Sequence, residues 1–185
     1  MVFSTPFFLN EPSRYSKFYS LAVQSKAIER IVRFIKGKIL PKLRDIRLVD
    51  SLQRFLVSDD AFSKAMDLSS YGEGVQRIFF VSLLFAAVEH GVLLLDEFEN
   101  AIHVSLLSDF SSFIYELSTE FDVQVFLTSH SRECIDAFVG SIVDIDCLTY
   151  TSLINKDGRI GLRQHTGREY RRLVEIADTD LRTAK

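Results

Sequence analysis

Cysteine is scarce in this sequence, and its two cysteines cannot form a disulfide framework or a cysteine-based metal site. Cys134 and Cys147 are the only ones among 185 residues, and their separation matches no metal-ligand spacing. Long apolar runs are also missing: the longest, residues 78–88, is too short to span a bilayer and contains Ser82. The N-terminus lacks the basic segment and the cleavage pattern of a signal peptide. We therefore expect a cytoplasmic protein without membrane contact.

Glycine is sparse as well, which excludes one common way of binding a nucleotide. A P-loop requires the pattern G-x-x-x-x-G-K-[ST], whose backbone amides and lysine hold the phosphates. The sequence has eight glycines, and its only Gly-Lys pair, Gly37-Lys38, is followed by Ile39. The sequence therefore contains no P-loop.

The residues that are present describe a globular domain with a large core. Hydrophobic residues make up 47% of the chain and charged residues 25%, and phenylalanine occurs 16 times, which argues against disorder. The net charge of −3 conceals a basic region, since residues 14–54 contain eleven Lys or Arg against three acids. Lys26, Arg30 and Arg33 share one face of a predicted helix, so we interpret this region as a solvated helical stripe. Contact with nucleic acid is the alternative interpretation.

The order of the predicted elements is that of an α/β fold. Apolar periodicity predicts helices, and short apolar runs that end in polar residues predict buried parallel strands. An Asp-Gly pair at residues 157–158 predicts the turn of a C-terminal β-hairpin. We divide the chain into an N-terminal helical segment, residues 1–66, and a core, residues 67–185. The predicted helices span 13–38, part of 47–66, 74–90, 103–121 and 131–138, and the predicted strands span 92–95, 123–127, 145–154 and 160–164.

Two polar clusters follow the two central strands directly. Asp96 and Glu97 come after the first strand, and Ser129 and His130 come after the second. Ligand chemistry in such sheets collects at the carboxyl ends of the strands. A carboxylate there can hold Mg²⁺, and an adjacent acid can orient and deprotonate a water molecule. The alternative is that the two strands simply end in solvated side chains without a functional role.

A third motif precedes the helix predicted over residues 74–90. Ser70 and Glu73 form an S-x-x-E pattern, which predicts a capping box at the start of that helix. The amides of a helix N-terminus also attract phosphate, and Gly72 and Gly74 carry no side chain that would block its approach. The motif therefore serves either as a helix cap alone or as a phosphate-binding segment.

Taken in order, these motifs resemble the ABC-type ATPases, and most closely the RecF, SMC and OLD-like branch that carries the AAA label. The matching elements are Ser-x-Gly-Glu before an apolar helix, four hydrophobic residues with Asp-Glu, Glu-Asn-x-x-His, and Thr-Ser-His at a strand end. They cover about residues 67–138. The resemblance implies part of a P-loop NTPase sheet flanked by helices, with ATP and Mg²⁺ as cofactors.

The resemblance also implies a role for each matching residue. Asp96 would bind Mg²⁺, Glu97 would be the general base, and His130 would be the switch histidine. Ala101 stands where the family usually has glycine. Residues of the signature and the D-loop would meet the nucleotide held by a second subunit, and these are Ser70, Gly72, Glu73, Glu99, Asn100 and His103.

The absence of a P-loop leaves three hypotheses open. In the first, the chain is a C-terminal part or subunit of an ATPase, and a homodimer or another polypeptide completes its site. In the second, it is a non-catalytic interaction module derived from such an ATPase. In the third, residues 14–54 bind nucleic acid, with DNA as the partner. DNA repair and phage defence are both compatible with these hypotheses.

The resemblance also predicts a gap in the sheet. The P-loop strand would lie between the strand at 123–127 and the strand near 145–150. Its absence exposes unpaired backbone and apolar faces. The Phe-rich segment, residues 3–8, offers one way to cover them.

Overall fold

A computed structural model describes residues 1–5, 12–49, 54–156 and 158–177 of the chain. Helices and strands alternate through its middle, as the sequence predicts. In these ranges the strands are β1 (Val2–Ser4), β2 (Leu43–Val49), β3 (Arg54–Asp59), β4 (Met66–Asp67), β5 (Val92–Leu95), β6 (Gln124–Leu127), β7 (Thr149–Lys156) and β8 (Arg159–Thr166). The α-helices are α1 (Pro12–Gln24), α2 (Ala27–Lys38), α3 (Glu73–Ala87), α4 (Leu107–Glu120), α5 (Arg132–Ser141) and α6 (Gly167–Ala177).

A parallel three-stranded sheet positions the site. Its middle strand is β5, which pairs with β1 on one side and with β6 on the other. Leu93 and Leu95 point into the main core together with most side chains of α3. Because α3 is apolar on all sides, it is a central helix rather than a surface one. The predicted α/β class and the two central strands are thus confirmed.

The opposite face of this sheet is partly uncovered. The strand register aligns Phe3, Leu94 and Phe126 in one row across it. Phe3 is 56% exposed and Phe126 is 52% exposed, although parallel sheets are usually covered on both faces. Among the described residues no strand pairs with the outer edge of β6. Within the described ranges the sheet therefore has an open edge and an apolar face directly beside the end of β6.

The described residues at the N-terminus do not fill this open edge. β1 pairs with β5, on the side away from β6. Phe3 therefore lies at the opposite edge of the sheet from the predicted gap. The other phenylalanines of the Phe-rich segment, Phe7 and Phe8, lie outside the described residues.

The first part of the basic region is helical as predicted, but it forms two helices instead of one. The predicted helix over residues 13–38 is broken where Lys26 adopts a left-handed conformation, with φ of 61°. The buried residues of α2 are Ala27, Ile31 and Ile35, whose spacing leaves the basic residues on the solvent side. This agrees with our interpretation of a solvated stripe.

Two residues of the basic stripe fasten α2 to α4. Arg30 lies 2.6 Å from a carboxylate oxygen of Glu120, and Lys38 lies 2.7 Å from one of Asp109. All four side chains are partly exposed, so each pair contributes at most about 1 kcal/mol. Between the two helices the rings of Phe34 and Phe113 stack with their centroids 4.1 Å apart. The contact is thus an apolar one with charged pairs at its rim.

The helix predicted within residues 47–66 is wrong. β2 and β3 form an antiparallel pair there, and β4 extends it as a third strand. In β3 the side chains of Phe55, Val57 and Asp59 are buried while their neighbours are less so, which is the two-residue period of a strand. The division between residues 66 and 67 stays a prediction. β1 pairs with β5 across this boundary, and β4, which pairs with β3, contains both residues.

The C-terminal hairpin is confirmed, with β7 and β8 paired from Thr149↔Thr166 to Lys156↔Arg159. Residue 157 of its predicted Asp-Gly turn lies outside the described residues, and Gly158 has the positive φ, 78°, that such a turn needs.

The hydroxyl of Tyr170 donates a 3.1 Å hydrogen bond to Asp136, which links α6 to α5. Burial raises the pKa of Tyr170. No helix in the described ranges is long and apolar enough to cross a membrane.

Candidate functional site

The end of β5 forms a tight corner that is closed by a threonine from β6. The hydroxyl of Thr128 donates a 2.6 Å hydrogen bond to the Asp96 carboxylate, and it accepts one of 2.9 Å from the backbone N–H of Glu97. The Asp96 N–H donates to the carbonyl of Ser4 at 2.9 Å. Glu97 has a positive φ of 44°, an uncommon conformation for a residue with a side chain. The corner is thus held by the strands on both sides of β5.

Glu97 and His130 lie side by side, as the predicted strand ends require. Nε2 of His130 is 3.5 Å from a carboxylate oxygen of Glu97. The His130 side chain is 86% exposed and that of Glu97 is 39% exposed. Both groups can therefore reach a molecule that binds against this edge of the sheet. The pair combines a carboxylate that can accept a proton with an imidazole that can hydrogen-bond an anion.

Glu99 points towards the end of β6 within its own chain. One of its carboxylate oxygens accepts a 2.7 Å hydrogen bond from the Ser129 hydroxyl and one of 3.3 Å from the His130 N–H. The Ser129 hydroxyl in turn accepts from the N–H of Ser131 at 3.0 Å. Ser131 caps α5 by accepting from the N–H of Cys134. The loop that carries His130 is therefore tied to Glu99 and to α5.

The two remaining predicted D-loop residues lie at the surface of the same turn. Asn100 is exposed, and its N–H donates to the Glu97 carbonyl at 2.9 Å. His103 caps the short 3₁₀ turn that precedes α4, since its Nδ1 accepts from the Ser105 N–H at 3.3 Å. Between them Ala101 adopts a left-handed conformation with φ of 63°. That conformation favours glycine, which explains the family's usual residue there.

The capping box predicted at the start of α3 is wrong. Gly72 stands at the N-cap position of α3, and no side chain caps the helix there. Asp67 instead caps a short 3₁₀ turn by accepting from the Ser69 N–H at 2.9 Å. Gly72 has φ of 88° and ψ of 161°, a region accessible essentially to glycine alone. Ser70 and Glu73 are both exposed.

Gly74 is required for close packing, which is a different reason from the one we expected. A Cβ at this position would lie 2.7 Å from the carbonyl oxygen of Ala101. The first turn of α3 and the turn that follows β5 therefore touch through backbone atoms. This contact places the Ser70–Glu73 segment beside the loop that follows the Asp96–Glu97 corner.

Replacing Gly74 with alanine should lower the free energy of unfolding by about 1–3 kcal/mol, because the new methyl group must displace backbone. The matched control is Gly140→Ala in α5, where a Cβ meets nothing within 4 Å. That substitution should stabilise the helix by about 0.5–1 kcal/mol. Urea denaturation measures both effects, and equal effects of the two substitutions would contradict the packing argument.

Arg77 is a site residue that the sequence analysis missed. Its side chain is 1% exposed within the apolar core of α3. The guanidinium donates to the carbonyl of Thr5 at 2.9 Å, to that of Asp96 at 3.2 Å and to that of Glu97 at 3.4 Å. Burial lowers the pKa of Arg77 to about 10, so it stays charged at neutral pH. An arginine inside an otherwise apolar helix was the signal that could have revealed it.

The residues present fit a magnesium ion that is held mainly by other ligands. Among the described residues no three His, Cys, Asp or Glu side chains come together to form a complete metal site. Mg²⁺ is usually bound through one or two carboxylates together with water and phosphate oxygens. Asp96, fixed by Thr128 at the strand end, can supply such a carboxylate. The chain thus offers part of a site for a metal–nucleotide complex.

Comparison with known proteins gives a family match over most of the chain. The model of a family described as "AAA domain, putative AbiEii toxin, Type IV TA system" matches residues 5–136. An uncharacterized protein of Methanocaldococcus jannaschii, MJECL11, is 38% identical over 65 residues. That stretch covers 35% of this chain and 57% of MJECL11.

Solved structures with a similar fold are heads of SMC ATPases. One chain, from a study of ATP-driven dimerization and DNA-stimulated activation of SMC ATPases, has a TM-score of 0.52 at 14% identity; the match covers 86% of this chain and 98% of that one. The Smc head of Pyrococcus furiosus bound to the C-terminal domain of ScpA has a TM-score of 0.54 at 15% identity, covering 94% and 42% of the two chains. An SmcHead bound to the C-winged helix domain of ScpA has a TM-score of 0.55 at 14% identity, covering 91% and 52%. This chain therefore spans about half the length of the latter two chains, the first of which carries an extended coiled coil.

Proposed function

This chain belongs to that AAA-domain family, and from this premise we propose that it supplies the hydrolytic half of an ATPase site whose P-loop comes from another polypeptide segment. The observation that carries the proposal is the Glu97–His130 pair, 3.5 Å apart at adjoining strand ends. The printed sequence has the acid, the histidine and the carboxylate for Mg²⁺, but no G-x-x-x-x-G-K-[ST] pattern. The chain would therefore hydrolyse ATP only when it is completed.

Each residue of the pair has a distinct task in this proposal. Glu97 accepts a proton from the attacking water, and His130 donates a hydrogen bond to a phosphate oxygen. Asp96 holds Mg²⁺, which when bound neutralises charge on the phosphates. Thr128 keeps the Asp96 carboxylate and the Glu97 backbone in fixed relation through its two hydrogen bonds.

The open edge of the sheet supports a completing segment that pairs with β6. The edge lies beside the strand end that carries His130, and Phe126 is exposed on the adjoining face. A parallel strand added there would pair the free backbone groups, and a helix after it would cover Phe126. The P-loop of such a strand–loop–helix unit would then begin next to Glu97 and His130.

A second copy of the completed head is the other partner that we propose. Ser70, Gly72 and Glu73 lie exposed before α3, where backbone amides can meet a phosphate held by another subunit. Asn100 and His103 are exposed in the loop that touches this segment through Gly74. The match to a chain from a study of ATP-driven dimerization is consistent with this arrangement.

The proposal predicts that the DNA upstream of the codon for Met1 encodes a strand followed by G-x-x-x-x-G-K-[ST], in the same or a neighbouring frame. When both segments are expressed together, the P-loop segment should co-purify with this chain. A control segment whose predicted strand carries a proline should not, because proline removes a donor of the ladder. An upstream region without a P-loop would favour the non-catalytic interaction module instead.

A further inference from the structure

We propose that Glu99 is a positioning residue that acts within its own chain, where its carboxylate fixes the loop carrying His130 beside Glu97. The resemblance implied instead that Glu99 meets the nucleotide of a second subunit. The catalytic meaning of the inference rests on the proposed function, whereas the positioning itself does not.

The hydrogen bonds of Glu99 are made to the segment that follows β6. A single oxygen accepts from the Ser129 hydroxyl at 2.7 Å and from the His130 N–H at 3.3 Å. Hydrogen bonds to a charged acceptor are stronger than those between neutral groups. Because the backbone of His130 itself is held, the direction of its side chain depends on this carboxylate.

The rest of the Glu99 side chain faces the interior of the protein. Its second oxygen is buried. The negative charge of Glu99 acts on Arg77, where it opposes the effect of burial on the guanidinium. Cys134, which lies nearby on α5, has its pKa raised to about 12, mainly by burial. The surroundings of Glu99 are thus interior, unlike those of its exposed neighbour Asn100.

The two connections of this carboxylate link three parts of the site. Arg77 holds the Asp96 and Glu97 carbonyls from α3, and Glu99 holds the His130 loop. The Asp96–Glu97 corner and the His130 loop are therefore each held by a side chain from another segment, Arg77 of α3 and Glu99 of the turn after β5.

The test compares two substitutions of Glu99 in this chain without the P-loop segment. Glu99→Ala removes the acceptor, whereas Glu99→Gln keeps an oxygen that can accept both hydrogen bonds. Amide hydrogen exchange, measured by NMR relative to the core amides of α3, should be about tenfold faster or more at His130 in the alanine variant. It should stay within about threefold of the parent in the glutamine variant. The control is Asn100→Ala, which should leave the His130 amide unchanged.

The outcomes separate this inference from the proposed function. Unchanged exchange at His130 in Glu99→Ala would overturn the inference, whatever the completed protein does. In the completed protein, Glu99→Ala should lower kcat for ATP with little change in KM, and Glu99→Gln should restore most of it. A loss confined to KM would indicate nucleotide contact across an interface and would also overturn the inference. Absence of any turnover in the parent would count against the proposed function alone.

Discussion

Replacing Glu97 with glutamine should lower the ATP turnover of the completed protein by about 10²–10⁴-fold, the usual contribution of a general base. Glutamine has the same shape and keeps the hydrogen bond between the Glu97 backbone and Thr128, but it cannot accept a proton. ATP binding should therefore persist while hydrolysis stops. Phosphate release and equilibrium nucleotide binding, measured on the same preparation, check the two parts of this prediction.

The matched control for this experiment is Glu116→Gln. Glu116 is an exposed glutamate on α4, and its substitution removes the same charge without touching the strand ends. Its turnover should equal that of the parent protein. Turnover that survives in Glu97→Gln would show that another group activates the water, and the assignment of Glu97 would then be wrong.

Replacing Arg77 with methionine should lower the free energy of unfolding by about 2–5 kcal/mol. The methionine fills much of the space, but it leaves the partly buried carbonyls of Thr5 and Asp96 without this donor, whereas the Glu97 carbonyl keeps the hydrogen bond from the Asn100 N–H. Each buried acceptor that loses its partner costs about 1–3 kcal/mol. Urea denaturation followed by circular dichroism measures this loss. Arg77→Lys should recover only a part of it, since an ammonium group lacks the planar fork of a guanidinium.

Arg33→Met provides the comparison on the protein surface. Arg33 is exposed on α2, and substitutions at such positions usually change stability by no more than about 0.5 kcal/mol. If Arg77→Met were as mild as Arg33→Met, the carbonyls of Thr5 and Asp96 would find other donors. In that case Arg77 would not be what holds the Asp96–Glu97 corner.

The central strands were predictable because their residues obey a strong local pattern. Residues 92–95 are a continuous apolar run that ends in two acids, and only a buried strand with a polar end fits it. The adjacency of Glu97 and His130 followed from the rule that parallel strands end at the same edge of a sheet. In the structure Nε2 of His130 lies 3.5 Å from a carboxylate oxygen of Glu97, as this rule leads us to expect.

The β2–β3 pair could not be predicted with the same method. Its two strands are short and mixed in polarity, and a helix of similar length explains their hydrophobic residues about as well. What distinguishes them is the pairing of Leu48 with Phe55 and of Ile46 with Val57, which joins side chains of two separate segments across a turn. Pattern reading sees each segment alone and therefore misses the cross-strand contacts.

The directions of the polar side chains were also beyond the sequence. Glu99 belongs to a motif that the resemblance assigns to an interface, yet its carboxylate accepts from Ser129 and the His130 N–H. Gly74 follows the signature-like segment, yet the atom that would meet its Cβ belongs to Ala101. Both facts depend on tertiary packing of segments about 30 residues apart, for which the sequence carries no local signal.

Steady-state phosphate release should be measured for this chain alone, for the P-loop segment alone and for the two together. We expect neither part to hydrolyse ATP by itself and the combination to do so, with turnover that requires Mg²⁺ and Glu97. A combination that co-purifies in a fixed ratio but releases no phosphate would show that this chain does not supply the hydrolytic half of the site. Equal hydrolysis by this chain alone would contradict the proposed function too, since the site would then be complete without a P-loop.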